Sequence, residues 1–387
     1  MRTIRRPLAS GEAFDLAYTR TGPADALPVL VFPGGPGLAS VLPYQRLRSQ
    51  AAKRGLGLVM MEHRGIGLSR TRLDGADLAP GDMRIIDVLD DAVAILDAEG
   101  IDRATVYGTS YGSYLAQGFG VRHPDRVAGM VLDSAMLGAR VGASPTDVLR
   151  ELFWEGTAQT AQQAARVRML AQTGVIDAAE AGFPLQILHE LGGIELVDDA
   201  LALLERGRGL RFWRWLQSVG AEDVMTSRPF VMEFDLVGEI AFRELDFASD
   251  RDGGPLQIAG FDASAALFPA FEAEPFELVR QIRDFDWPVV VVSGDRDVRT
   301  PRTIAEQVAA AVPQSVLIEV RGHGHSALDT HPGLALDIVR TLTDAVASGV
   351  PVDRSIFGED PEGAPGSMRT LVRGRLVAAK VVPRRLS

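Results

Sequence analysis

No cysteine occurs among the 387 residues, which removes disulfides, thiolate metal sites and a cysteine nucleophile together. Any nucleophile must come from another residue type. Basic charge is also short: 40 Lys and Arg against 51 Asp and Glu leave a net charge of -11, opposite to the basic surface on which nucleic-acid affinity depends. Nucleic acid is not an expected partner. No apolar run approaches the roughly 18 residues of a membrane span, and the start, Met1 to Pro7, has basic residues with no apolar stretch behind them. A soluble, cytoplasmic protein with no membrane partner is expected.

What the chain does have is apolar content, 46% of its residues, enough for one large domain with an insertion or for two domains. Short apolar runs bounded by Gly or Pro recur at Val29 to Phe32, Leu56 to Met61, Ala104 to Tyr107 and Val127 to Leu132, and read as buried strands. Between the second and third, Ile85, Leu89, Ala92, Val93 and Leu96 mark one helical face behind a capping acid at Asp82. Strand and helix alternation predicts an α/β fold with a mostly parallel sheet flanked by helices. From Met136 to Phe285 the pattern turns helical, for example over Gln159 to Gln172 and Val197 to Arg206, which predicts an inserted helical cap. Strands resume at Pro288 to Ser293 and Ser315 to Val320, so the core is assigned to 1–135 and 286–348 and the cap to 136–285. Residues 349–387 read as a basic appendage, solvated and partly flexible: Gly and Pro are frequent up to Gly366, and no acid occurs from Arg369 to Ser387.

Gly108-Thr-Ser110-Tyr-Gly112 fits G-x-S-x-G, a weak pattern by itself in a chain with 40 glycines. Its setting gives it weight. It follows the apolar run ending at Tyr107 and precedes a helix-compatible segment, the strand-turn-helix context of a nucleophile elbow. An ordinary turn with a capping Ser is the bland alternative. Upstream, Pro33-Gly34-Gly35-Pro36-Gly37 ends another strand in a loop that can present backbone N–H groups to a developing oxyanion. The amides of Gly35 and Tyr111 are the candidate donors.

Histidine is scarce, six in all, and an elbow serine is followed in chain order by its acid and then its base. His63 lies before Ser110, His123 too close behind it, and His189 in the cap without an acid pattern. Arg321-Gly-His323-Gly-His325-Ser326, after the last strand, offers His325 as the base and His323 as the alternative, with His331 six residues on. On the loop after the Val289 to Ser293 strand, Asp297 is the preferred acid, since Asp295 suits ordering of the Gly294 turn.

With these residues in place the chain resembles the proline iminopeptidases and related tripeptidyl aminopeptidases of the α/β-hydrolase superfamily. Gly34-Gly-Pro-Gly37 resembles that group's H-G-G-P-G loop, Glu62-His-Arg-Gly-Ile-Gly-Leu-Ser69 its D-x-R-G-x-G-x-S segment, and Gly108 to Gly112 its elbow. Gly294 to Pro301 and Gly324-His325-Ser326 resemble its acid and base loops. Two positions depart: Pro33 replaces the group's His, which bears on specificity at the loop mouth, and Glu62 replaces its Asp. Arg64 and Glu62 are expected to tie the second loop to the elbow.

The resemblance implies an α/β-hydrolase fold and a serine hydrolase that cleaves the N-terminal residue from small peptides or aminoacyl amides through an acyl-enzyme, with no cofactor and no metal. An esterase or other acyl hydrolase on the same triad is the first alternative, and a non-catalytic binding protein of the same fold the second. A substrate ammonium would need carboxylates, and Glu233, Glu239 and Glu244 in the acid-rich cap stretch are the candidates, a solvated acidic face being the alternative. Oligomeric state has no signal in the sequence.

Overall fold

The computed structural model describes residues 1–23, 25–225, 227–248, 252–258, 262–363 and 366–381. Eight strands form one sheet: β1 (Arg2–Pro7), β2 (Ala13–Thr21), β3 (Pro28–Phe32), β4 (Gly57–Met61), β5 (Ala104–Thr109), β6 (Val127–Asp133), β7 (Val289–Gly294) and β8 (Ser315–Val320), in the order β1-β2-β4-β3-β5-β6-β7-β8. All neighbours from β4 through β8 run parallel; β2 joins β4, and β1 joins β2, antiparallel. The expected mostly parallel sheet is present.

Its strands are continuous apolar runs because both faces are covered. Along β3, Leu30 and Phe32 pack with Ile85, Leu89 and Phe119 on one face, whereas Val29 and Val31 pack with Leu47, Leu336 and Val339 on the other. Period-two alternation thus feeds two cores. The first is covered by the helices Ile85–Ala98, Tyr111–Arg122 and Arg302–Ala311, the second by Gln45–Lys53 and Pro332–Ser348.

β1 and β2 are strands that the apolar-run reading does not predict. β1 is an edge strand in which only Ile4 and Arg6 are half-buried and the rest are exposed, and β2 buries Phe14, Leu16, Ala17, Tyr18 and Thr19 in a sequence broken by Asp15 and Arg20. Charged, half-buried edge strands give no continuous apolar run. A second difference concerns Asp82, which does not cap the Ile85–Ala98 helix. Its carboxylate instead takes the Ala79 N–H at 2.9 Å, and the Ile85 N–H is received by Glu244 Oε2 at 2.8 Å.

The segment between β6 and β7 is helical, including Ala161–Gln172, Gly182–Glu205, Leu210–Met225 and Phe234–Arg243, with its own apolar cluster. Core packing already takes up Phe276, Leu278 and Ile282 before β7 begins. The C-terminal segment carries a helix, Ser367–Val381, in place of a wholly solvated tail. Val372 and Leu376 lie one helical turn apart and are buried in the cap cluster, which holds that helix down. Residues 382–387 of the basic segment lie outside the described residues. Among the described residues, no helix is long and apolar enough to cross a membrane.

This topology gathers the loops that matter. Strand order reverses between β3 and β5, which are neighbours paired Phe32 to Gly108, so the loops leaving both strands open side by side at one switch point. Asp133 at the end of β6 pairs with Val292, and Gly294 with Val320, which brings the loops after β6, β7 and β8 to the same edge.

Candidate active site

The β5 run ends in a turn that forces Ser110 to φ 52° and ψ -124°, an uncommon conformation for a residue with a Cβ. The Ser110 N–H is fixed on the Asp133 carbonyl at 2.9 Å. Both flanking glycines are sterically required. A Cβ on Gly108 would stand 2.1 Å from the Gly112 carbonyl oxygen, and one on Gly112 would stand 2.0 Å from that of Phe32. The G-x-S-x-G spacing is thus the condition for a sharp strand-to-helix reversal beside β3.

Asp297, buried after β7, holds His325 after β8. Its two carboxylate oxygens lie 3.1 and 3.0 Å from His325 Nδ1, while the N–H groups of Arg299 and Thr300 and the Thr300 hydroxyl donate to them at 3.0, 3.0 and 2.8 Å. Burial alone would raise the Asp297 pKa, but the His325 charge and these hydrogen bonds outweigh it and hold the carboxyl below its ordinary range. For His325 burial works downward, and the charge and hydrogen bond of Asp297 overcome it, leaving the imidazole above its ordinary 6.5.

His323 is placed differently. Its ring is buried and packs edge-on to His331 at 4.4 Å, its Nε2 has no hydrogen-bond partner among the described residues, and burial pushes its pKa down to about 4. No carboxylate orients it as a base. Asp295 accepts the His323 backbone N–H at 3.0 Å and so ties the acid loop to the base loop. Other bonds anchor the base loop: Ser326 N–H to Ser134 Oγ at 2.9 Å, and the Ala327 and Leu328 N–H groups to the Asp133 carboxylate at 3.0 and 2.8 Å. Despite its glycines the loop is held firmly.

Ser110 and His325 open on one cavity of about 1230 Å³, walled on the core side also by Gly34 and Gly35. No hydrogen bond joins the Ser110 hydroxyl to His325 among the described residues; what they share is the cavity. Gly34 lies beside Ser110, so that a Cβ on it would be in van der Waals contact, 3.5 Å from Ser110 Cβ. Tyr111 begins the helix after the elbow, so its N–H is among the first four that have no acceptor within that helix. Its side chain points away, with the hydroxyl 3.2 Å from His63 Nε2. His63, held also by the Arg64 carbonyl and driven by burial to a pKa of about 4, supports Tyr111 from behind.

Glu62 and Arg64 do not form the expected tie to the elbow. Glu62 Oε2 receives the Ser40 and Val41 N–H groups at 2.6 and 2.9 Å, which braces the chain just after the glycine loop. Arg64 instead chelates Asp91 at 2.8 and 2.9 Å. Both residues lie beyond the end of β4 with His63 between them, and each is taken up by a different segment, Glu62 by the chain at Ser40 and Val41 and Arg64 by Asp91 of the Ile85–Ala98 helix.

The three cap acids are not brought into the cavity. Glu233 receives the Phe230 N–H at 3.2 Å and the Gly67 N–H, Glu239 pairs with Arg243 at 3.2 Å, and Glu244 caps Ile85. All three are buried, so a solvated acidic face is excluded as well. Asp147, Glu190, Asp246, Asp252 and Asp329 line the cavity, and the buried one of these is Glu190, on the Gly182–Glu205 helix, paired with Arg299 at 3.2 Å. Gly324 lets that helix touch the base loop, since a Cβ there would come within 2.7 Å of Glu190 Cβ. The sequence signal for Glu190 was faint: one acid close after the apolar stretch Leu185 to Leu188, with the adjacent His189 drawing attention instead.

The sequence profile described as the alpha/beta hydrolase fold matches residues 28–332. Among characterised sequences, the proline iminopeptidase of Neisseria gonorrhoeae is 25% identical over 349 residues, covering 89% of this chain and 98% of its own. Among solved structures, the proline iminopeptidase of Mycobacterium smegmatis superposes with a TM-score of 0.53 at 16% identity, over 90% of this chain and 99% of its own. A thermophilic esterase from Thermogutta terrifontis does so at 0.51 and 17%, over 89% and 99%. The structural likenesses concern the fold.

Proposed function

The chain belongs to the alpha/beta hydrolase fold family, and from that premise we propose that it is a serine hydrolase releasing the N-terminal residue of short peptides or aminoacyl amides. Ser110 Oγ attacks the carbonyl carbon while His325 Nε2 takes its proton; Asp297 holds Nδ1–H and stabilises the imidazolium. The oxyanion is received by the Gly35 and Tyr111 amides. His325 then gives the proton to the departing amine, and water, activated by the same imidazole, releases the acid and restores Ser110. The observation that carries the reading is the buried Asp297–His325 pair opening on the same cavity as a serine held at an elbow.

The peptidase part is supported by the proline iminopeptidase relative, matched over nearly its whole length, and by Glu190, a buried carboxylate on the cavity wall suited to a substrate ammonium. One observation favours the acyl-esterase reading: Arg299 already neutralises Glu190. Rates on prolyl and alanyl arylamides, their N-acetylated forms and matched aryl esters decide between the two. A free-amine preference of tenfold or more in kcat/KM is expected; equal rates on the N-acetylated forms reject the peptidase reading in favour of the esterase.

A further inference from the structure

The geometry points to a second recognition site in the same cavity, at Arg369 of the C-terminal helix, for the carboxylate at the far end of a short peptide. It rests on the peptidase reading above and extends it to the leaving side of the substrate. The Ser367–Val381 helix follows the residues matched by the family profile. It is nevertheless built into the site. Its buried Val372 and Leu376 seat it on the cap, Arg375 stacks its guanidinium 4.3 Å over the Trp215 ring, and Lys380 binds Asp199 at 3.1 Å while its carbonyl receives Arg208 at 2.8 Å. That docking places Met368, Arg369 and Val372 in the wall of the cavity on which Ser110 opens.

Four arginines line this cavity: Arg140, Arg150, Arg299 and Arg369. The first three each hold a carboxylate, namely Asp246, Asp252 and Glu190. Arg369 holds none among the described residues, in a chain whose acids outnumber its bases. Its Nε is closed off from solvent without an acceptor. The surroundings do not neutralise it either: burial, then Arg373 and Arg296, push the guanidinium below its ordinary pKa, and Glu195 opposes them only in part. A guanidinium kept unpaired and partly desolvated matches a carboxylate, which can accept its donors two at a time.

The cavity lining then carries a partner for each charge of a zwitterion. Glu190 lies against the base loop, where the ammonium of an N-terminal residue would sit, and Arg369 is presented to the same cavity by the C-terminal helix. A volume of about 1230 Å³ exceeds the range of about 300–1000 Å³ usual for small-ligand sites, so room remains for a leaving peptide beside the acyl residue.

Two substrate pairs test this in wild type, Arg369→Gln and Arg369→Lys, each pair differing by one carboxylate on the leaving group. One pair is a tripeptide with a free or amidated C-terminus; the other is 4-acetoxybenzoate or its methyl ester. Rates are expressed per site labelled by a fluorophosphonate probe, so misfolded protein does not count. Wild type should favour the carboxylate by tenfold or more in kcat/KM, chiefly through KM; the ratio should collapse in Arg369→Gln and survive in part in Arg369→Lys. A wild type without that preference, or an Arg369→Gln variant that keeps it, overturns the subsite. If the tripeptides resist cleavage while the ester pair shows the preference and its loss, the peptidase reading fails and the subsite stands.

Discussion

Replacing Asp297 by Asn changes one atom of the site and should disable it through the tautomer of His325. Asp297 Oδ1 receives two backbone N–H groups, from Arg299 and Thr300, each at 3.0 Å. These donors fix the amide oxygen of the new Asn at that position, which turns its NH2 toward Thr300 and His325 Nδ1, where Oδ2 now accepts at 2.8 and 3.0 Å. The amide oxygen, 3.1 Å from Nδ1, is already taken by two backbone donors, and the NH2 is the nearer group at 3.0 Å, so Nδ1 accepts from it and the ring proton moves to Nε2. An imidazole protonated there cannot take the proton of Ser110, and kcat should fall on the order of 10⁴, the size of this effect in Ser-His-Asp triads.

The same substitution carries a pH signature with a definite sign. In wild type, Asp297 holds the His325 pKa above 6.5 against the effect of burial, so kcat/KM should rise with pH through a midpoint above 6.5, as the imidazole loses its proton. Without the carboxylate charge, burial, the largest influence, and the Arg299 charge disfavour imidazolium, and the smaller Glu190 charge alone favours it. The midpoint should drop below 6.5. Steady-state kinetics on an aryl ester from pH 5 to 9 reads both quantities. A loss of less than tenfold, or a midpoint that stays in place, would refute the assignment of Asp297 as the orienting acid.

Ser110→Ala should abolish turnover and fluorophosphonate labelling together, with kcat falling on the order of 10⁴ to 10⁶, and labelling that persists at another serine moves the nucleophile elsewhere. His325→Ala should cost nearly as much, whereas His323→Ala, which removes a neutral buried ring without an acid partner, should lose no more than roughly a hundredfold; the reverse ranking makes His323 the base. Glu244→Ala leaves the Ile85 N–H without its acceptor and should cost about 1 kcal/mol of stability in a denaturant titration, with KM for free-amine substrates unchanged. A KM rise of tenfold without loss of stability returns Glu244 to the substrate site.

The legible parts of this molecule are those whose cause is local. Strands β3 to β7 announce themselves because burial on both faces demands apolar residues in nearly unbroken runs, and β8 because Val316, Ile318 and Val320 alternate into the core. The elbow is legible because Gly108 answers the Gly112 carbonyl four residues on, and Gly112 the Phe32 carbonyl at the end of the paired strand β3. Asp297 and His325 are read from loop position and motif, and the hydrogen bonds around them run within the Asp297 loop and across to the His325 loop.

What escaped the sequence is decided by packing between distant segments. Glu244 looked like a ligand for a substrate amine because an acid among apolar residues demands a partner, and that inference was physically sound; the partner is the Ile85 N–H, 159 residues earlier in the chain. Glu62 likewise had a partner to find, and found it at Ser40 and Val41 in place of the elbow. A buried carboxylate can be satisfied by a backbone N–H, an arginine or a bound ammonium, and sequence alone does not rank the three. Only the cap docking separates them: it closes the first two kinds of partner around Glu233, Glu239 and Glu244 and turns Glu190 toward the cavity. For the same reason the basic tail could not be read as part of the site. Its apolar residues do not mark one core face, since Met368, Leu371 and Val377 stay exposed, and it is the fit of Val372 and Leu376 into the cap cluster that carries Arg369 to the cavity wall.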